Sequence, residues 1–213
     1  MAPLKFCANI SWLFTELPDF SQRIYAAASA GFRAVEAAWL YESDLEQLQR
    51  AREATGVEVV LINTPPGRVP EGSHRTAVAK EMEAIFVQNL NYAADIFSKE
   101  GITGLIEPIN TRMTDPRYFL DSPHQAAAIL EKVGKPNIKL QMRVPPLELI
   151  KTDSSSGHVQ IAQVPGRNEP DSDGELNYRY LFDTLENLHY QGYVGCEYKP
   201  LGSTEEGLGW MKE

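Results

Sequence analysis

The chain has 213 residues, 43% of them hydrophobic and 23% charged, which excludes global disorder and fits one globular domain. Its formal charge of −9, with the 20 Lys and Arg scattered along the chain, argues against a nucleic-acid partner. Cys7 and Cys196 are far apart and form no CxxC pair, and no apolar run reaches membrane-spanning length, so the expectation is a soluble, cytoplasmic protein with two buried free thiols and no membrane partner.

A unit recurs along the chain: an amphipathic helix, a Gly, then a short β-branched or aromatic run that ends in a polar residue. The first strand is expected over about 4–10. A helix from Ser21 to Ala30 leads through Gly31 into a strand over 33–39, and a helix from Asp44 to Thr55 leads through Gly56 into 57–63. Gly suits the left-handed turn that closes a helix, and strands separated by helices pair in parallel with right-handed crossovers. Residues 64–74 are rich in Pro and Gly and read as irregular. The longest helix is expected from Arg75 to Lys99, with Val78, Met82, Ile85, Phe86, Leu90, Ala93, Ile96 and Phe97 on one face that should cover a sheet.

Gly101 then precedes a strand over 103–109. A helix from Ser122 to Val133 opens on a capping side chain followed by Pro123 and closes at Gly134. Strands follow over 138–143 and 157–164, separated by a second irregular stretch at 143–156, and the last strand, over 193–199, follows Gly192. Seven strands with this grammar give an α/β fold of the (β/α)8 TIM barrel kind that falls one short of the usual eight, in a single domain over 1–213.

In parallel α/β folds the carboxyl ends of the strands share an opening, and function gathers there. Those ends offer Glu36, Asn63, Glu107, Arg143, Gln160 and Glu197. Glu107 and Glu197 are carboxylates set in otherwise apolar strands, which calls for a partner such as a metal ion or substrate, because an unpaired buried charge is costly. With Gln160 they make an all-oxygen metal set suited to Mg or Mn rather than Zn. The plain alternative is that each Glu pairs with a nearby Arg or Lys, and an arginine fastened to each would count against their acting as proton carriers. Arg167, in the turn-rich segment after the sixth strand, could clamp a small carboxylate in a fork, or pair with Glu169 or Glu175 as a surface residue. His158 begins a strand and is a candidate pocket residue, with a structural role the equal alternative; His74, His124 and His189 read as surface residues. No GxGxxG, Walker or GxSxG pattern is present.

The strings Ser11-Trp12-Leu13-Phe14, Leu61-Ile62-Asn63-Thr64-Pro65-Pro66-Gly67, Ile106-Glu107-Pro108-Ile109-Asn110-Thr111, Gln163-Val164-Pro165-Gly166-Arg167-Asn168-Glu169-Pro170 and Gly195-Cys196-Glu197-Tyr198 resemble the hydroxypyruvate isomerase family. The resemblance covers most of the chain. It implies a xylose isomerase-like TIM barrel that interconverts hydroxypyruvate and tartronate semialdehyde, a role in carbohydrate metabolism, and a small hydroxy-oxo acid as substrate. It further implies Glu107 and Glu197 as catalytic acids and bases and metal ligands, Gln160 as the neutral metal ligand, and Arg167 near the substrate carboxylate. A homo-oligomer is compatible with it.

Two departures stand out against that pattern. Roughly one helix-strand unit is missing between Gly67 and Arg68, and Arg143 stands where the family has an Asp that ligates the metal, so metal affinity should fall severely. The pattern is that of an alternative product of an isomerase gene with internal segments omitted or replaced. Missing elements should leave strand edges and apolar faces uncovered. Two rival readings remain open: a non-catalytic chain that binds other proteins, and another reaction on the same scaffold, with epimerisation ahead of phosphodiester cleavage because the chain is acidic and lacks a His-rich rim.

Overall fold

The structure, a computed structural model, describes residues 3–65, 78–111, 118–143 and 156–212. Both expected irregular stretches fall largely outside these residues. The chain groups into two compact units, Met1–Pro65 with Val159–Glu213, and Pro66–His158.

In the first unit, β1 (Lys5–Asn9), β2 (Ala34–Ala37), β3 (Glu58–Ile62), β7 (Tyr193–Cys196) and the end of β6 (Ser156–Ile161) pair in parallel in the order β3-β2-β1-β7-β6. Helices α1 (Phe20–Ser29) and α2 (Leu45–Thr55) make the crossovers and pack on each other. All four residues of β2 are buried, as in a strand covered on both faces. Ile10, Leu13, Phe14, Ile24, Ala27 and Val35 form the core with Val194, Cys196 and Tyr198. A second apolar layer is aromatic. Phe6 packs edge-on against Phe182 of α5 (Tyr178–Asn187) at 5.3 Å and against Trp210 at 5.1 Å, which fixes the terminal 3-10 helix (Glu206–Lys212) to this unit.

The second unit holds α3 (Val78–Phe97), β4 (Gly104–Ile106), α4 (Pro123–Val133) and β5 (Ile138–Arg143), with β4 and β5 parallel and α3 packed on α4. Asn137 Nδ2 donates to Ala94 O at 2.8 Å and ties the approach to β5 onto α3. Gly104 is closely packed: a Cβ there would lie 2.7 Å from Ile138 Cδ1 and 3.1 Å from the Phe97 ring, so a larger residue needs those side chains to shift.

The seven strands expected from sequence are the seven found among the described residues, each within a few positions of its expected bounds. Gly56 and Gly134 close α2 and α4 in the left-handed conformation, at φ 71° and 60°. Asp44 caps α2 by accepting from Glu46 N and Gln47 N, and those bonds, Gln47's first, hold its carboxyl below the usual range.

Several expectations need correction. Ser122 is the residue before α4, but its side chain makes no capping bond there, and Pro123 opens the helix. Before β7 the positive φ falls on His189, at 54°, and not on Gly192, which instead sits against the Tyr190 ring. Ile85 and Ile96 of α3, expected on a covered face, are 51% and 43% exposed. Helix α5 was not singled out by its sequence. Val59 and Ile62 on β3 are 39% and 51% exposed, the uncovered apolar surface expected of a barrel that lacks elements.

Candidate functional site

Each polar residue picked out at a strand end lies where parallel strands deliver their carboxyl ends. Glu36 is in β2 after a register shift between Val35 and Glu36, Glu107 directly follows β4, Arg143 ends β5, Gln160 is next to last in β6, and Glu197 directly follows β7. Asn63 follows β3, and its carbonyl accepts from Tyr41 Oη at 2.5 Å.

In the first unit Glu197 is 8% exposed, and its Oε2 accepts from Arg167 Nη2 at 2.9 Å. Arg167 is held from several sides. Its backbone N–H donates to Gln163 O at 2.7 Å, its carbonyl accepts from Lys199 N at 2.6 Å, and its guanidinium lies 4.6 Å from the Trp12 ring centroid. Its φ of 59° is a left-handed conformation uncommon for a residue other than glycine, kept here by the surrounding loop. Buried Gln163 organises that loop: its Nε2 donates to the carbonyls of Pro170, Ser172 and Leu176, and its Oε1 accepts from Val164 N and Leu176 N. Arg167 therefore pairs with Glu197 and not with Glu169, whose Oε1 accepts from Leu201 N at 2.9 Å.

The same unit holds a buried polar network that joins Gln160, expected in the site, to Glu36, which sequence reasoning noted at a strand end but left out of the site. Glu36 is fully buried, and its Oε1 accepts from Asn9 Nδ2 at 2.8 Å and from Gln160 Nε2 at 2.7 Å. Cys7 Sγ lies 3.5 Å from Glu36 Oε2. Burial, and then the Glu36 charge, push the Cys7 thiol up, so it stays protonated and able to donate. The signal was present: Glu36 is a carboxylate in the apolar run Ala34-Val35-Glu36-Ala37, the same pattern that singled out Glu107 and Glu197. His158, two residues before Gln160 on the same face of β6, is 3% exposed.

In the second unit Glu107 Oε1 accepts from Arg143 Nε at 2.9 Å, and its Oε2 accepts from Gln141 Nε2 at 3.2 Å. Burial, followed by the Glu107 charge, pushes the Tyr118 phenol up. Glu107 and Glu197 belong to different compact units, and within its own unit each carboxylate meets an arginine. That is the arrangement that counts against free proton carriers, because a guanidinium at hydrogen-bond distance stabilises the ionised carboxylate and lowers its basicity.

Gln160 and Glu107 differ as donors to a divalent cation. Gln160, whose Nε2 donates to Glu36, carries a carboxamide oxygen of the kind such an ion takes. Glu107 does not fit, since both of its oxygens accept hydrogen bonds and a guanidinium already supplies positive charge beside it. A separate cavity of about 290 Å³, lined mostly by apolar groups such as Ile24, Leu40, Leu48 and Val59, gathers no set of convergent acids and bases.

Comparison with known proteins gives four matches. A family model described as xylose isomerase-like TIM barrel matches residues 68–213. A Danio rerio protein provisionally named hydroxypyruvate isomerase is 52% identical over 265 aligned positions, which cover 100% of this chain and 96% of that one. The alignment is 52 positions longer than the 213 residues of this chain, so at least that many positions of the relative have no counterpart here. The Escherichia coli protein named hydroxypyruvate isomerase is 35% identical, with 98% of each chain covered. A crystal structure from Brucella melitensis, described as an AP endonuclease of family 2, superposes with a TM-score of 0.85 at 35% identity, covering 99% of this chain and 98% of that one. No helix among the described residues is long and apolar enough to cross a membrane.

Proposed function

We propose a function from one premise: the chain belongs to the xylose isomerase-like TIM barrel family, in its hydroxypyruvate isomerase branch. The proposed reaction interconverts hydroxypyruvate and 2-hydroxy-3-oxopropanoate, tartronate semialdehyde, through an enediolate. A proton leaves C3 and a proton is returned to C2, while the hydroxyl proton passes from O3 to O2, so that atoms balance with no external oxidant or reductant. The proton-transfer roles are given to Glu197 and Glu107.

The observation that carries the reading is the Arg167–Glu197 pair at the end of β7. A substrate carboxylate can take the guanidinium in a two-point fork, which a single glutamate oxygen does not match. The exchange frees Glu197 from the charge that lowers its basicity, so the base is released when substrate arrives. The Trp12 face keeps the guanidinium plane oriented through the exchange. Arg143 and Gln141 hold Glu107 in the second unit by the same kind of charge-assisted contact. His158 is assigned to the substrate pocket, and Gln160 is assigned as the neutral ligand that a divalent cation, magnesium or manganese, would take. We also place the chain in a reducing, cytoplasmic setting, which its two buried free thiols fit, and treat its two units as one domain.

The test is conversion of hydroxypyruvate followed by proton NMR, with and without added magnesium or manganese, and with Glu107→Gln as the control. Turnover above the variant supports the reading, and turnover equal to it removes the enzymatic claim for this chain.

A second reading, a catalytically impaired member of the family, is favoured by the arginine on each glutamate and by the 52 or more alignment positions without a counterpart. Thermal melting under manganese titration separates the two: a cooperative transition raised by manganese argues against the impaired form.

A further inference from the structure

The ion pair between Arg167 and Glu197 stands on two segments that run side by side, residues 167–169 after β6 and residues 199–201 after β7. Lys199 N donates to Arg167 O at 2.6 Å, and Asn168 Nδ2 donates to Lys199 O at 2.9 Å. Two residues further on, Leu201 N donates at 2.9 Å, but to the side chain of Glu169 and not to its backbone. The Glu169 carbonyl is turned elsewhere, accepting from Ser172 N at 3.1 Å and from Ser172 Oγ at 2.6 Å. Donation at residue 199 and again at 201 has the two-residue step of a strand ladder. Glu169 Oε1 therefore takes the place that the carbonyl of residue 169 would hold, and the side chain continues the seam where the backbone leaves it.

Glu169 is 4% exposed, and its Oε2 meets no hydrogen-bond partner among the described residues. Burying a carboxyl group to satisfy one backbone N–H is costly, and an apolar side chain would fill the space at less cost, so the worth of Glu169 lies in the bond that Oε1 makes. Gly207, in the terminal 3-10 helix, leaves room for it, since a Cβ there would lie 3.1 Å from both Glu169 Cγ and Cδ. The seam bears directly on Arg167. Its left-handed backbone, at φ 59°, persists only while its surroundings hold it, and the guanidinium reaches both Glu197 and the Trp12 face from that backbone.

We propose that Glu169 is a positioning residue for the substrate carboxylate: its Oε1 pins residues 167–169 to the segment after Glu197 and so keeps the Arg167 guanidinium against Trp12, oriented for a two-point contact. The carboxylate as ligand rests on the isomerase reading, while the pin itself does not. The pin needs an acceptor, which a carboxamide oxygen also supplies. Glu169→Gln therefore keeps it, and Glu169→Leu removes it.

Hydrogen exchange and NMR test the pin without reference to activity. Leu201 is 73% exposed, so its amide owes its protection to Glu169 and should exchange about 10-fold more slowly than in an open chain, the worth of one hydrogen bond. An unprotected Leu201 amide in the parent chain overturns the pin, whether or not the leucine variant folds. The Arg167 side-chain resonances, displaced by the Trp12 ring, should keep that displacement in Glu169→Gln and lose it in Glu169→Leu; displacement retained in both overturns the pin as well. In turnover, Glu169→Leu should raise KM for hydroxypyruvate by about 10-fold with kcat changed much less, and Glu169→Gln should restore the parental KM. In an Arg167→Lys chain, Glu169→Leu should raise KM little further, because the two residues act as one device. Parental KM in Glu169→Leu, an equal rise in both Glu169 variants, or additive effects with Arg167→Lys overturn the positioning role. A parent chain with the protected amide that converts no hydroxypyruvate sinks the isomerase reading and leaves the pin standing.

Discussion

Arg167 is where one residue decides most. Its fork, its stacking on Trp12 and its bond to Glu197 depend on a planar guanidinium, so replacement by lysine keeps the charge and loses the geometry. Arg167→Lys is expected to raise KM for hydroxypyruvate by about 10- to 100-fold, the loss of one charge-assisted two-point contact, with the melting temperature unchanged. Steady-state kinetics beside a thermal melt would show it, and an unchanged KM would remove Arg167 as the carboxylate clamp. The buried thiols make a second residue-scale statement. Burial, and then the charge of Glu36, raise both Cys7 and Cys196 well above the ordinary thiol value of 9.0. The folded chain keeps those protons where the unfolded chain has released them, so the stability they contribute is complete below about pH 9 and is lost as pH rises further. The raised phenols of Tyr178, Tyr190 and Tyr198, also shifted chiefly by burial, add to the loss above their ordinary 10.0. Melting temperatures measured from pH 7 to 10.5 should be flat at first and fall beyond about pH 9; a rise there would contradict the buried positions of these groups.

Among the elements, β7 is the most constrained. Cys7 of β1 pairs with Gly195 on one side and Gln160 of β6 on the other, and the Glu36 carboxylate fills the space over the glycine. Gly195→Ala is expected to cost about 1–3 kcal/mol, the usual range for overpacking a filled interior, read as a lower urea midpoint at constant m-value. A neutral result would mean that Glu36 can leave without cost. Which elements form was legible from local pattern: the strands ended close to where their polar residues suggested, and Gly56 and Gly134 closed their helices as a left-handed turn requires. Helix α5 and the position of the turn before β7 were less so. There His189 carries the positive φ, because Gly192 is engaged by the Tyr190 ring, a contact between residues that no periodicity announces.

At the scale of the whole molecule, one domain and two compact units make different predictions. If the chain is one domain, scanning calorimetry should give a single transition whose calorimetric and van't Hoff enthalpies agree, whereas two separable peaks would mean that Met1–Pro65 with Val159–Glu213 unfolds apart from Pro66–His158. The sequence by itself determined the α/β class, the seven strands, the family and the set of polar strand ends, because these follow from short-range periodicity, from turn chemistry and from the parity of parallel strands. It also carried a strand pattern one short of the usual eight, and seven strands are found among the described residues. Only the tertiary structure decided which charge meets which. Glu107 takes Arg143, Glu197 takes Arg167 rather than leaving it to Glu169, and Glu36 gathers Asn9, Cys7 and Gln160. Those partners lie 27 to 124 residues apart for Glu36 alone. Pairing over such separations is set by strand order and register, which bring distant side chains within hydrogen-bond reach, and no local property of the chain encodes it.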